Sequence, residues 1–376
     1  MRRARLARAL GSKTVVRHGE DEELLDGCTI VRLESLEQVR DDWDRLAEGA
    51  GHVFATWEWI SSRWEQLAGE RELYSFAVRD SQDRVRVILP FYVGVSRPVR
   101  IARFIGYGDL NSPLCAHDYR PLAAAAIRRV LGRGGGACQA LLGESMPAAE
   151  GWRGLLGARV LDEHPDPLLH INGSGWEDFL AARSRRFRKR TRQQERRLER
   201  DFELVYRLAD DPARIDADID DLFRLHSMRW GGDTTGVFEG ERGEQQRVAI
   251  KGALERGWLR LWFLELDGRT AAADLAWRWR GSEWAMNCGR DPEFDKQSVG
   301  AVLMSHAVRE ACEDRVCTYR LLQGDAAYKL DFADDVWTSE TLLVGSGVLG
   351  RLASVAAAAV DSLPEHVRGR VMRALR

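Results

Sequence analysis

Apolar residues recur with a period of two in some stretches of the chain and near 3.6 in others, and the switches follow the same order twice. In the first half, Thr29 to Leu33 reads as a short strand and Leu36 to Leu46 as an amphipathic helix. Trp57, Trp59, Ile60 and Trp64 continue at helical spacing and predict a second, aromatic-rich helix. Leu73 to Val78 alternates, Asp80-Ser81-Gln82-Asp83 supplies turn chemistry and Val85 to Val93 returns as an apolar strand, which together predict a hairpin. Phe104 to Asp109 runs from a strand into a glycine loop. Pro121 to Leu131 is a helix stopped by Gly132, and Gly134-Gly135-Gly136 leads into a strand at Ala140 to Leu142.

In the second half, Ile219 to Trp230 and Arg247 to Arg256 predict amphipathic helices. Leu259 to Leu266 is a strand, Asp267-Gly268 a hairpin turn and Thr270 to Arg280 the return strand. A strand at Glu283 to Cys288, a long helix from Ser298 to Glu313, a strand at Thr318 to Leu322 and another at Trp337 to Val344 complete the order. The halves match element for element, with hairpin turns at Asp83-Arg84 and Gly268-Arg269, so the expected fold is α+β by tandem duplication. The divisions are a polar, basic leader at 1–27, an N-terminal half at 28–175, a C-terminal half at 176–344 and an amphipathic helical tail at 345–376. In the tail, Leu349, Leu352, Val355, Ala356 and Ala359 keep helical spacing; a cap on the protein's own domain, a dimer contact and a membrane-surface contact are the readings, and their modest bulk favours the cap.

Composition mainly excludes. With 44% hydrophobic and 30% charged residues the chain is of ordinary globular type, and 56 basic against 58 acidic residues give it no general bias toward nucleic acid. No window approaches the roughly 20 apolar residues that span a bilayer. Arg2, Arg3, Arg5 and Arg8 are not followed by the apolar run of a secretory signal. The six cysteines form no Cys-x-x-Cys pair and none has a histidine at zinc-ligand spacing, so reduced thiols, a cytoplasmic location and no metal are expected. His-Glu-x-x-His, Walker and Gly-x-Ser-x-Gly patterns do not occur, which disfavours zinc protease, nucleotide kinase and serine hydrolase.

The informative stretch runs from Gly289 to Leu303, out of a strand and into a helix. A helix N-terminus offers unpaired N–H groups and the positive end of the helix dipole, which together suit a diphosphate. Gln297-Ser298-Val299-Gly300-Ala301 puts a small residue at the cap and a glycine where backbone can approach an anion. By spacing alone, a loop closed by an ordinary serine cap accounts for the same residues.

From Trp258 to Phe332 the chain resembles the C-terminal domain of CelD-type proteins, in the FemAB-like branch of the GNAT (acetyl-CoA-dependent N-acetyltransferase) superfamily. The resemblance is carried by the strands around Asp267-Gly268, the lead-in from Gly289 to Phe294, the Ser298-x-Gly300-x-x-Leu303 helix start and Gln323-Gly324-Asp325-x-x-Tyr328-Lys329. His226-x-x-Arg229-Trp230, followed by Gly236 and Phe238, resembles the segment before this core, and Trp57-Glu58-Trp59 is similar to the family's N-terminal half. One departure is Val299, where the family usually has proline; another is that the broader GNAT pattern fits Gln297 to Ala301 only in its first half.

The resemblance implies tandem GNAT-like halves, mixed sheets flanked by helices, around a central groove. It implies acetyl-CoA or another acyl-CoA as cosubstrate, held at Gln297, Ser298, Val299, Gly300 and Ala301, and transfer of the acyl group to an amine of a small-molecule or sugar acceptor, in exopolysaccharide or envelope synthesis. An alkyl amine has a pKa near 10, so about 4 kcal/mol separates it from its reactive form at neutral pH. A general base must lower that cost, a donor must meet the oxyanion, and an acid helps the thiolate leave. Tyr328 is expected as the acid, Asp325 as base or substrate-positioning group, and Lys329 as a partner of Asp325 or of a phosphate. The structural alternatives are a turn at Gly324-Asp325, a packing role for Tyr328 and an ion pair for Lys329.

Arg183 to Arg200 holds ten basic residues in a helix-like stretch with few apolar positions, and a solvated basic helix is the plain reading. Contact with the 3′-phosphate of coenzyme A, an acidic acceptor or polysaccharide, anionic lipid or RNA are the functional ones. Phe187 alone interleaves the run, which disfavours single-stranded nucleic acid. Two rival functions remain: an aminoacyl-tRNA-dependent ligase, the one reading that makes tRNA a partner, and a non-catalytic accessory protein of polysaccharide synthesis. Tyr107 to Pro113 is a further candidate for the acceptor groove, with an Asn-Ser-Pro turn as the simpler account. His226 and Trp230, four apart on one helix, are expected to pack.

Overall fold

The computed structural model describes residues 22–25, 27–96, 99–106, 110–131, 138–229, 236–324 and 326–345. Most of the basic leader, the Tyr107-Gly108-Asp109 loop, the Gly134 to Gly136 link, Trp230, Asp325 and the tail from 346 lie outside them. Within the leader, Glu22–Leu25 forms an edge strand that turns through Gly27 (φ 83°) to pair with Cys28–Arg32.

The elements that build the site are, in chain order, strands β1 (Ala140–Pro147) and β2 (Arg159–His170), helices α1 (Arg185–Asp201) and α2 (Ile215–Arg229), strands β3 (Leu259–Leu266), β4 (Arg269–Trp279) and β5 (Ser282–Arg290), helix α3 (Val299–Glu313), strand β6 (Thr318–Arg320), helix α4 (Ala327–Phe332) and strand β7 (Asp335–Gly345). An eleven-stranded sheet has the order Leu204–Leu208, β3, β4, β5, β6, β2, β7, β1, Val99–Phe104, Phe91–Ser96 and Glu72–Leu73. A second sheet of five strands runs Glu22–Leu25, Cys28–Arg32, Phe76–Arg79, Val85–Leu89 and Leu114–Cys115. The predicted strand Val85 to Val93 is therefore divided at Pro90, whose two sides belong to different sheets.

The repeat read from the sequence is visible in the pairing. In each half a strand pairs in parallel with a later one across a helix: β5 with β6 across α3, and Val99–Phe104 with β1 across Arg120–Val130. The next strand then crosses over. β2 pairs with β6 and β7, and β7 pairs with β2 and β1, so one sheet runs through both halves. The fold is α+β, with tandem GNAT-like units.

β2 carries Pro165 and Pro167, which argue against a central strand because proline cannot donate to a ladder. The structure uses only their carbonyls on that edge: Pro167 O accepts from Leu321 N–H at 2.9 Å and Pro165 O from Gly324 N–H at 3.0 Å. No proline N–H is needed, and the loop after β6 is pinned. The aromatic helix Trp57–Leu67 joins the halves. Trp59 meets Trp277 edge-on at 5.3 Å and Phe54 meets Trp284 at 6.0 Å, inside a core that also holds Trp43, Leu222 and Phe263.

Candidate active site

β5 shapes the site. Its pairing with β4 shifts between Leu275↔Asn287 and Ala276↔Ala285, so Met286 is a bulge residue with no partner across the ladder. Its parallel pairing with β6 stops at Trp284↔Arg320. Beyond that the two strands diverge, and the wedge between them is a cavity of about 540 Å³. The β5 wall runs from Ala285 to Arg290, Tyr319 and Leu321 face it, and α2, α3 and α4 close the sides.

α3 presents its N-terminus to this cavity through Ser298, Gly300 and Ala301. Ser298 is the cap residue, as expected, but it sits in the left-handed region (φ 59°, ψ 36°) and its side chain makes no capping bond. Its carbonyl accepts from the N–H groups of Ala301 (3.0 Å) and Val302 (3.1 Å), which leaves the amides of Val299 and Gly300 ahead of the first helical bonds. The side chain of Val299 is fully buried beside Phe294 and Leu303, so this residue offers backbone alone. Gln297 is half-buried outside the cavity, its Oε1 enclosed without a partner. Arg290 lines the cavity and donates from Nε to Asp295 at 2.6 Å, which sets a cation beside the helix start.

Of the other expected residues, Tyr328 and Lys329 line the cavity from α4, while Asp325 lies outside the described residues between two that do line it, Gly324 and Ala326. The Tyr328 hydroxyl bonds Arg229, and burial raises its pKa above the usual 10. Lys329 donates from Nζ to the carbonyls of Gln323 (2.6 Å) and Leu322 (3.2 Å), tying down the loop that Pro165 and Pro167 hold from the other side.

The structure adds residues that pattern reading missed, Asp274 foremost. It lies on the cavity wall in β4, and its carboxyl pKa is pushed up to about 7, chiefly by burial and then by the charge of Glu283, with Arg229 and Tyr319 opposing. Beneath it Tyr319 is wholly buried, its hydroxyl without a hydrogen bond of good geometry and its pKa well above the usual value. Arg229 reaches the Cys288 sulfur, and burial raises the pKa of that thiol. The sequence signal for Asp274 was a lone acid inside the apolar run Ala271 to Trp277. His226 packs edge-on against Phe238 at 4.7 Å, and burial lowers its pKa to about 4, so it is neutral at physiological pH. Gly289 permits this arrangement: a side chain there would collide with the α2 backbone at Leu225 and His226.

Among the described residues no group of three His, Cys, Asp or Glu side chains could hold a metal ion, and no helix is long and apolar enough to cross a membrane. All six cysteines are free thiols.

Residues 185–330 match the family model described as an acetyltransferase (GNAT) domain. No curated protein matches the chain. Among solved structures it is similar to FemX, at 10% identity over 87% of this chain and 99% of that one, with a TM-score of 0.59. It is also similar to the C-terminal domain of a proposed lysylphosphatidylglycerol synthetase from Agrobacterium fabrum (14% identity, 87% and 97% covered, TM-score 0.54). A third is L-PGS from Bacillus licheniformis (11%, 85% and 96%, TM-score 0.51). At these identities the likeness is one of fold.

Proposed function

We propose that the cavity binds an acyl-coenzyme A thioester, acetyl-CoA foremost, and that the protein transfers the acyl group to an amine of a small-molecule or sugar acceptor. The observation that carries this reading is Asp274, a carboxyl poised near neutral pH in a cavity that also meets the open start of α3. A base with pKa near the working pH combines a usable ionised fraction with enough strength to take a proton from an ammonium group.

The free amides of Val299 and Gly300, with the Arg290 guanidinium, suit the diphosphate, and Gly300 leaves room for it: an added Cβ would first meet the Arg290 side chain at 3.7 Å. Gln297, Ser298 and Ala301 complete that loop. Asp274 accepts the proton of the incoming amine, and Tyr328, whose hydroxyl is protonated at neutral pH, gives its own to the departing sulfur. Backbone N–H groups on the strand edge that β5 loses beyond Trp284 serve the oxyanion. Lys329 is assigned to positioning through the Gln323-Gly324 loop, and Asp325, next along that loop, to orienting the acceptor. A cytoplasmic step in exopolysaccharide or envelope assembly, and membership of the CelD-type branch, belong to the same reading and rest on sequence resemblance.

Thermal denaturation with coenzyme A and a series of its thioesters tests the site. A ligand at a hundred times its dissociation constant should stabilise the protein by about 2.7 kcal/mol. If no thioester raises the melting temperature, the reading is wrong and the accessory-protein alternative stands. The exposed arginines of α1 favour one second reading, transfer from an aminoacyl-tRNA, in which tRNA instead of coenzyme A would bind with steep salt dependence.

A further inference from the structure

We infer that α1, together with the corner formed by α4 and the first residues of β7, is a docking surface for an anionic lipid bilayer. Between Arg183 and Asp201 there are ten basic residues and three acidic ones. The buried side chains of α1 are Phe187, Thr191 and Leu198. Arg185, Lys189, Arg192 and Arg196, spaced by four, three and four, fall on one line along the opposite side of the helix, and all four are exposed. From Arg185 to Arg196, at about 1.5 Å per residue, this makes a cationic stripe roughly 17 Å long. Arg192 is paired with Glu177, but Arg185, Arg186, Lys189 and Arg196 make no ion pair among the described residues. A helix needing only solubility would pair most of its charges; this one leaves Arg185, Arg186, Lys189 and Arg196 uncompensated, while Glu177 answers Arg192 and Asp201 answers Arg197 and Arg200.

Two ion pairs fix what packs against the Phe187 side of α1, where Arg186 and Arg190, four apart, flank it. Arg190 reaches Asp331 and Arg183 reaches Asp334, each at 2.7 Å, and Phe187 packs edge-on against Phe332 at 4.9 Å. The α4–β7 corner is thereby locked along the N-terminal half of α1. It exposes Tyr328, Leu330, Val336 and Trp337 at 38, 46, 47 and 39%, four of the eight large hydrophobic residues exposed among the described residues. The stripe calls for a polyanion, and Leu330 and Val336 decide which. Aliphatic side chains gain nothing against a nucleic acid backbone, whereas a bilayer interface accepts cations at the headgroups and apolar groups just below them. Trp337, its ring backed by Arg320 at 4.0 Å and its Nε1–H bonded to Asp335, has the amphipathic form that interfaces favour.

Tyr328 and Phe332 also line the cavity, so docking through this corner would turn its mouth toward the membrane. The acceptor amine would then be presented at the lipid surface; that clause alone rests on the proposed acyl transfer.

The test is co-sedimentation of the full-length protein with phosphatidylcholine vesicles, with and without phosphatidylglycerol. Binding should require phosphatidylglycerol and weaken as salt rises. The triple variant Arg185→Gln, Arg186→Gln, Lys189→Gln should lower the partition coefficient roughly a hundredfold, about fivefold for each cation removed. Leu330→Ser with Val336→Ser should weaken it further, with melting temperature and thioester-induced stabilisation unchanged in every variant. Equal binding to both vesicle types, no effect of the triple variant, or binding to tRNA that the triple variant abolishes while vesicles are ignored would each overturn the inference. Because vesicle binding is read without acyl transfer, its failure leaves the cavity assignment standing, and the reverse holds too.

Discussion

At Asp274, burial and the neighbouring charge of Glu283 both oppose ionisation, Arg229 favours it, and the balance falls at about 7. Activity limited by this base should rise with pH through about 7, and Asp274→Asn should lower kcat by about 10²- to 10⁴-fold while thioester binding persists. The same shift has a cost in stability. The folded protein holds a proton that the unfolded chain releases near pH 3.8, so between that pH and about 7 the wild type loses stability as pH rises. Asp274→Asn removes this slope, so its melting temperature should exceed that of the wild type above pH 7 and converge with it near pH 4; a wild-type advantage at high pH would refute the assignment. At Gly289 the constraint is steric. Gly289→Ala should lower the melting temperature and displace Arg229, because a methyl group there meets the α2 backbone and has no flexible neighbour to push aside.

At the scale of elements, the bulge in β5 and the start of α3 border the cavity that interrupts the regular structure. The bulge at Met286 lies just past the last β5–β6 pair, Trp284↔Arg320, and the left-handed turn at Ser298 sets the start of α3 at the space that opens. Arg290→Ala should weaken coenzyme A binding about two- to fivefold, as expected for one charge acting at a helix terminus, with kcat little changed. The periodic elements were legible because their signals are local: Asp267-Gly268 gave the hairpin, and ten apolar or small side chains on α3 gave a helix only one residue shorter than predicted. β2 was not legible. Prolines and charges hide its strand pattern, and only the partners Leu321 and Gly324 show that its proline carbonyls are what the sheet uses there. α4 was equally hidden, as six residues are too few to display a period.

Across the whole molecule, the crossing of β2 and β7 and the contact of Trp59 with Trp277 make each half part of the other's core. Fragments 28–175 and 176–344 expressed separately should therefore be insoluble or unfolded by circular dichroism, and Trp277→Ala in the full chain should cost about 3–5 kcal/mol in chemical denaturation. A fragment folding alone with native stability would contradict this. The sequence by itself determined the order of most helices and strands, the doubling of that order and the helix start at Ser298, because turn chemistry, periodicity and capping are decided within a few neighbouring residues. Only the tertiary structure decided that Asp274, Arg229, Cys288 and Tyr328 share one cavity, that Lys329 binds carbonyls and that β2 and β7 cross between the halves. Burial, and with it the pKa of a carboxyl group, is set by side chains dozens of positions away, and no local pattern carries that information.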